Sequence, residues 1–208
     1  EKDRRVIPIL HRPSLDELRK WELPHSIENS MFRTGHLLVV AENFTGNDSD
    51  FAATLTAELK KKNIQTSFVE WNDNSGGDWP ELLKRLDAAA DTAIIIPPVF
   101  YAISGTPARS QERRLAALLQ GLKARSSLKR IWLATPFPTV NDREDALTRS
   151  VKKLCRDYGV KMLDINDFIR RLPDWRHAYY QDESGSLLSP YPVRTIVPLS
   201  GFMANTLK

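Results

Sequence analysis

Leu37-Leu38-Val39-Val40-Ala41-Glu42-Asn43 is the stretch on which the fold turns. Five consecutive apolar residues predict a strand over 37–41 buried on both faces, because a strand with one solvated face would alternate apolar and polar side chains. The run stops at Glu42-Asn43, where the chain turns polar. Similar runs follow at 64–69, 92–96, 131–134 and 160–165, with Ile94-Ile95-Ile96 and Ile131-Trp132-Leu133 the plainest. Between them lie helical periodicities near 50–62, 79–90, 107–125 and 142–158. A closing helix near 191–206 is expected from Val193, Ile196, Val197, Met203 and Leu207, with Pro198 expected to kink or interrupt it.

Alternating strands and helices predict an α/β fold with a five-stranded parallel sheet covered on both faces. Right-handed crossovers then give a doubly wound, three-layer α/β/α sandwich. Ligands of such sheets meet the carboxyl ends of the strands, so the loops after 41, 70, 97, 135 and 165 form the expected functional edge. Residues 1–36 read as an N-terminal arm packing on the 37–208 domain. The arm holds extended Val6-Ile7-Pro8-Ile9-Leu10 and a short helix opened by Ser14, with Glu17 completing a capping box. No internal repeat interrupts this order.

With 208 residues the chain is long enough for one sizeable core. It contains neither an apolar stretch of about 18 residues nor a charged-then-apolar leader, so no membrane association is expected. It begins at Glu1, as expected of a segment processed or excised from a longer protein. The single Cys155 sits with Val151, Leu154 and Tyr158 on an apolar helix face, which predicts a buried, inert thiol in a reducing, cytoplasmic setting. One cysteine and four scattered histidines give no zinc set, and no Gly-x-Gly-x-x-Gly or Gly-x-x-x-x-Gly-Lys loop is present, so no metal, cofactor or small-molecule substrate is expected.

Four segments carry a family likeness. These are Leu37–Asn43; the glycine-bearing block Asn74-Ser75-Gly76-Gly77-Asp78-Trp79-Pro80-Glu81-Leu82-Leu83; Ile94-Ile95-Ile96-Pro97-Pro98; and Ser184–Pro190 leading into the last helix. In order and spacing they resemble the SGNH (flavodoxin-like) hydrolase and lipase family across about residues 36–207. The resemblance implies a Gly-Asp-Ser nucleophile turn, an oxyanion hole completed by a glycine and an asparagine, and an Asp-x-x-His pair that deprotonates the serine. Here Asn43 stands at the nucleophile position, Pro97-Pro98-Val99 replaces the asparagine block, and Ser184 and Leu187 replace the Asp-x-x-His pair. Only Gly77 remains. An amide cannot attack a carbonyl and a leucine cannot accept a proton, so the fold is expected without its hydrolytic activity. A relocated triad of Ser49, His177 and Asp182 is the alternative, although helix capping by Ser49 and a surface role for His177 account for those residues equally simply.

Charge supplies a second theme. The formal net charge is only +4, but residues 101–180 hold sixteen Lys or Arg against eight Asp or Glu, which leaves the remainder net acidic by four. Such asymmetry points to a polyanionic partner. Arg149, Lys152, Lys153 and Arg156 recur at i, i+3, i+4 and i+7, on a helix face away from Leu147, Val151 and Leu154. Arg109, Arg113 and Arg114 occupy the first two turns of the preceding helix, where acids are favoured. Arg170, Arg171, Trp175 and Arg176, with Arg194 near them, mix cations with flat side chains, the pairing that reads single-stranded RNA. The plain alternatives are solvated helix faces, pairing with Glu112, and Trp175 anchoring a loop to the core.

Over its full length, including Glu70-Trp71-Asn72-Asp73-Asn74 and Ser184–Lys208, the chain also closely resembles the germ-plasm domain family of insects. That resemblance implies an SGNH-like fold without active-site residues, binding to the 3' untranslated regions of germline messenger RNA, and germ granule assembly with other granule proteins. A protein-interaction scaffold whose positive charge is incidental is the competing expectation.

Overall fold

The computed structural model of the chain describes residues 34–41, 51–71, 84, 88–97, 108–138, 146–172, 175 and 193–207. Residues 1–33 of the arm, with its Ser14–Glu17 capping box, and most of the helix expected over 79–90 lie outside these residues, while His36, expected to end the arm, opens the first strand. Five strands are present: β1 (His36–Ala41), β2 (Gln65–Glu70), β3 (Thr92–Ile95), β4 (Arg130–Ala134) and β5 (Lys161–Leu163). They form one all-parallel sheet in the order β2-β1-β3-β4-β5. Leu37 stands opposite Thr66 on one side and Thr92 on the other, and Ile94 opposite Trp132.

Successive side chains of a strand point to opposite faces, so the central strands divide their apolar residues between two cores. On one face Leu37, Val39, Ala41, Ile94, Ile96, Trp132 and Ala134 pack under α1 (Phe51–Lys60), α4 (Ile165–Arg170) and α5 (Val193–Thr206). On the other Leu38, Val40, Ala93, Ile95, Ile131 and Leu133 pack under α2 (Ala108–Lys123) and α3 (Ala146–Tyr158). Helices α2 and α3 bury the stripes that their spacing predicts. Leu115, Leu118, Leu119 and Leu122 do so in α2, and Leu147, Val151, Leu154 and Cys155 in α3. Burying a leucine or valine side chain contributes roughly 1.5–3 kcal/mol, so these two stripes hold the layer on the sheet.

One strand expectation needs correcting, and the expected closing helix is present. The apolar run at 160–165 is not one strand: β5 ends at Leu163, and Ile165 opens α4. Asp164 caps that helix by accepting the Asp167 amide at 3.0 Å, and Ile165, Phe168, Ile169 and Leu172 are buried at helical spacing. Arg170 and Arg171 therefore close a helix rather than occupy a loop. The last helix runs from Val193 to Thr206 with Pro198 inside it, so the proline does not interrupt it. The amide that Pro198 lacks would have bonded the Arg194 carbonyl in the first turn, so only one bond near the helix end is lost.

Helices α1 and α3 stop in the same way. The Asn63 and Gly159 backbones are left-handed, with φ of 59° and 60°. Ile64 N–H then bonds the Leu59 carbonyl at 3.1 Å, and Val160 N–H the Cys155 carbonyl at 3.0 Å, in the six-to-one pattern of a Schellman cap. A Cβ at Gly159 would meet no other atom within 4 Å, so the backbone conformation alone opposes substitution. Gly159→Ala is expected to lower stability by about 1–2 kcal/mol in urea unfolding without displacing any side chain. Cys155, one turn earlier, is buried against the sheet, and burial pushes its thiol up to about 11.

Asp91 ties the amino end of the sheet together. One carboxylate oxygen accepts the Gly35 and His36 amides at 2.9 and 3.1 Å, and the other accepts the Thr92 hydroxyl at 2.8 Å. Its carbonyl takes the Lys129 and Arg130 amides at 2.8 and 3.3 Å, so one residue fixes the starts of β1, β3 and β4.

Candidate functional site

The strand order reverses between β1 and β3, and this is where a doubly wound sheet opens a crevice at its carboxyl edge. Ala41 and Ile96-Pro97 bring the chain to that crevice, and all three are buried. Asn43 follows β1 by two residues and lies outside the described residues, as do Ser49, Gly77, Pro98, Val99, His177, Asp182, Ser184 and Leu187.

Beside the crevice, the carboxyl ends of β4 and β5 are joined by a polar cluster. The fully buried Thr135 donates its hydroxyl to Asp164 Oδ1 at 3.0 Å and accepts the Asn166 amide at 2.9 Å. Asn166 donates from Nδ2 to the Pro136 carbonyl at 3.2 Å and accepts Arg170 Nε at 2.8 Å. The Arg170 guanidinium lies 5.1 Å from the Trp175 ring centre, and Trp175 packs on the core beneath α4 and α5. Arg171 bonds Asp167 at 2.6 Å. Of the third basic group, then, Arg170, Arg171 and Trp175 all make contacts within the protein. Arg176 and the Arg194 side chain lie outside the described residues, and the Arg194 backbone belongs to α5.

The other two groups come together. Helices α2 and α3 lie side by side and parallel on one face of the sheet. Glu112 meets Ser150 and Lys153 near their starts, and Gln120 and Lys123 meet Tyr158 at their ends. Lys123 Nζ donates to the Tyr158 carbonyl at 2.6 Å, so an ammonium stands at the negative end of α3. Arg109, Arg113, Arg149, Lys153 and Arg156 are exposed on this layer, while Arg114 and Lys152 are half-buried. Neither helix carries an acid in its first turn.

The cationic stripe of α3 meets an acid from the neighbouring helix. Glu112 reaches across from α2 and accepts Lys153 Nζ at 2.8 Å through one oxygen and Ser150 Oγ at 3.1 Å through the other. The Lys153 bond holds the Glu112 carboxyl below the usual carboxylate range, with Ser150 and the nearby Arg109 charge acting in the same direction against partial desolvation. The same contact raises Lys153. The expected cations thus fall into two sets on opposite faces of the sheet: 109–114 with 149–156 on one, and 170–175 on the other. Among the described residues, no His, Cys, Asp and Glu cluster could hold a metal, and no helix is long and apolar enough to cross a membrane.

Solved structures with this architecture include hydrolases. The chain superposes on LAE5, an alpha/beta hydrolase enzyme from the metagenome of Lake Arreo, with a TM-score of 0.55 and 15% identity over 85% of this chain and 98% of that one. A catalytic mutant of Axe2, an acetylxylan esterase from Geobacillus stearothermophilus, gives a TM-score of 0.55 and 15% identity over 85% and 96% of the two chains. A protein described as a GDSL-like lipase, from Parabacteroides merdae, gives 0.56 and 19% over 86% and 99%. The fold is that of the SGNH hydrolases. No protein-family model matches the sequence, and no curated protein matches it significantly. At these identities the SGNH likeness establishes architecture, while chemistry depends on the individual side chains.

Proposed function

We propose that the chain is a non-catalytic, RNA-binding domain on an SGNH hydrolase fold. The observation that carries this reading is the layer of α2 and α3, two parallel helices whose exposed cations share one face and whose first turns contain no acid. A single strand of RNA laid on such a face places phosphates against Arg and Lys, and each contact releases counterions. The sequence resembles the C-terminal domain of Oskar, the insect germ-plasm organiser. That resemblance implies germline messages such as the nanos and oskar 3' untranslated regions as ligands, in cytoplasmic germ granules. Asn43, Ser184 and Leu187 at the expected catalytic positions support the absence of hydrolysis.

A granule scaffold is the second reading, favoured by the internal pairing of Lys153 with Glu112 and of Arg171 with Asp167. The two separate in one pair of assays on the 208-residue chain. RNA binding is expected to weaken steeply with salt, by roughly 0.7 in log–log slope per phosphate contacted, with crosslinks in 109–114 and 149–156. Turnover of a simple aryl ester is expected to be absent, and unchanged by Ser49→Ala. Salt-insensitive or undetectable RNA binding overturns the RNA reading, and ester turnover lost in Ser49→Ala overturns the non-catalytic one.

A further inference from the structure

Two donors on the α2–α3 face converge on one carboxylate. Lys153 Nζ holds Oε1 of Glu112 at 2.8 Å and Ser150 Oγ holds Oε2 at 3.1 Å, while Arg109 lies close enough to stabilise the same charge. Lys153 and Ser150 are one turn apart on α3 and so present their donors side by side. Both oxygens of the anion are held from the neighbouring helix, as two non-bridging oxygens of a phosphodiester would be. The contact is exposed enough for exchange, since the Lys153 side chain is 57% accessible and that of Glu112 is 26%. An ion pair of this exposure contributes little to stability. It is therefore a weak staple, but it occupies cations at the centre of the basic face.

We infer that Glu112 is a built-in competitor for RNA phosphate: its carboxylate occupies an anion site formed by Lys153 and Ser150, and RNA gains that site only by displacing it. The inference rests on the RNA-binding reading of this face and adds to it a residue that limits affinity. It predicts that removing an acid helps and that the gain is local. One added phosphate contact steepens the log–log salt slope by about 0.7, which at 0.1 M salt relative to 1 M amounts to about fivefold in affinity.

The test is titration of the 208-residue chain with single-stranded RNA across a salt series, in wild-type protein and in Glu112→Gln, with thermal melts confirming that each variant folds. Asp157→Asn, on α3, removes an equal charge that acts on Lys153 through space, while the hydrogen bonds of Ser150 and Lys153 go to Glu112. Glu112→Gln is expected to bind about fivefold more tightly with the steeper slope, and Asp157→Asn to change affinity less than twofold. Lys153→Met should weaken binding more in the Glu112→Gln background than in wild type, because only there is the ammonium available to RNA. Salt-sensitive binding by wild type with no gain in Glu112→Gln, or an equal gain in Asp157→Asn, overturns the inference and leaves the RNA reading standing. Absence of binding in both wild type and Glu112→Gln overturns the RNA reading itself.

Discussion

Replacing Arg113, Arg149 and Arg156 together with glutamine is expected to lower the affinity for single-stranded RNA about 100-fold at 0.1 M salt. All three are exposed on the α2–α3 layer, one on the second turn of α2 and two spanning α3. If each meets one phosphate, its loss removes about 0.7 from the log–log slope, which is about fivefold in affinity at 0.1 M and accumulates to about 100-fold over three. The slope itself should flatten by about 2, a readout that a merely destabilised protein would not give. Stability should move by no more than about 0.5 kcal/mol, since exposed substitutions away from caps and cores rarely do more. The matched control is Lys60→Gln, Lys61→Gln and Lys62→Gln at the end of α1, which removes the same formal charge from the opposite face. A comparable loss in the control would mean that net charge, rather than this face, attracts RNA.

The largest effect on stability is expected at the far end of the sheet. Asp91→Ala should cost about 2–4 kcal/mol in urea unfolding, because it leaves the Gly35 and His36 amides without their acceptor and releases the Thr92 hydroxyl. Hydrogen bonds to a charged acceptor are worth about 1.5–3 kcal/mol each, and both amides lie where β1 begins. Asp91→Asn keeps an acceptor and should recover roughly half of the loss. Gly35 explains why this tie is close, since a Cβ there would come within 3.0 Å of the Asp91 carboxylate. A cost under about 0.5 kcal/mol for Asp91→Ala would show that water replaces the carboxylate without penalty.

Most of the sheet is legible from residue pattern because strands buried on both faces leave uninterrupted apolar runs, and Leu37–Ala41, Ile94–Ile96 and Ile131–Ala134 are such runs. The start of α4 was hidden by the same signal. Ile165 extends the run of Met162 and Leu163 by eye, while Asp164 and Asp167 mark a helix start that outweighs it. The partition of the cations could not be read from spacing within a helix. It follows from the order β2-β1-β3-β4-β5, because right-handed crossovers moving one way from β1 put α2 and α3 on one face, and the opposite move to β2 puts α1 on the other. Glu112 and Lys153 are 41 residues apart, so their pairing belongs to helix packing and leaves no mark in the periodicity of either helix. The expected crevice was placed at the strand ends, while the side chains that decide its chemistry fall in loops where local pattern carries little information.

The burial of Cys155 gives this layer an internal clock. The thiol lies on the underside of the helix whose upper face carries Arg149, Lys153 and Arg156, closed against the sheet among Leu147, Val151 and Leu154. Reagents reach it only when α3 lifts or the protein opens, so the rate of its modification measures the free energy of that opening. A ligand seated on the upper face slows the clock in proportion to how firmly it holds the helix down, and a ligand bound elsewhere leaves it running.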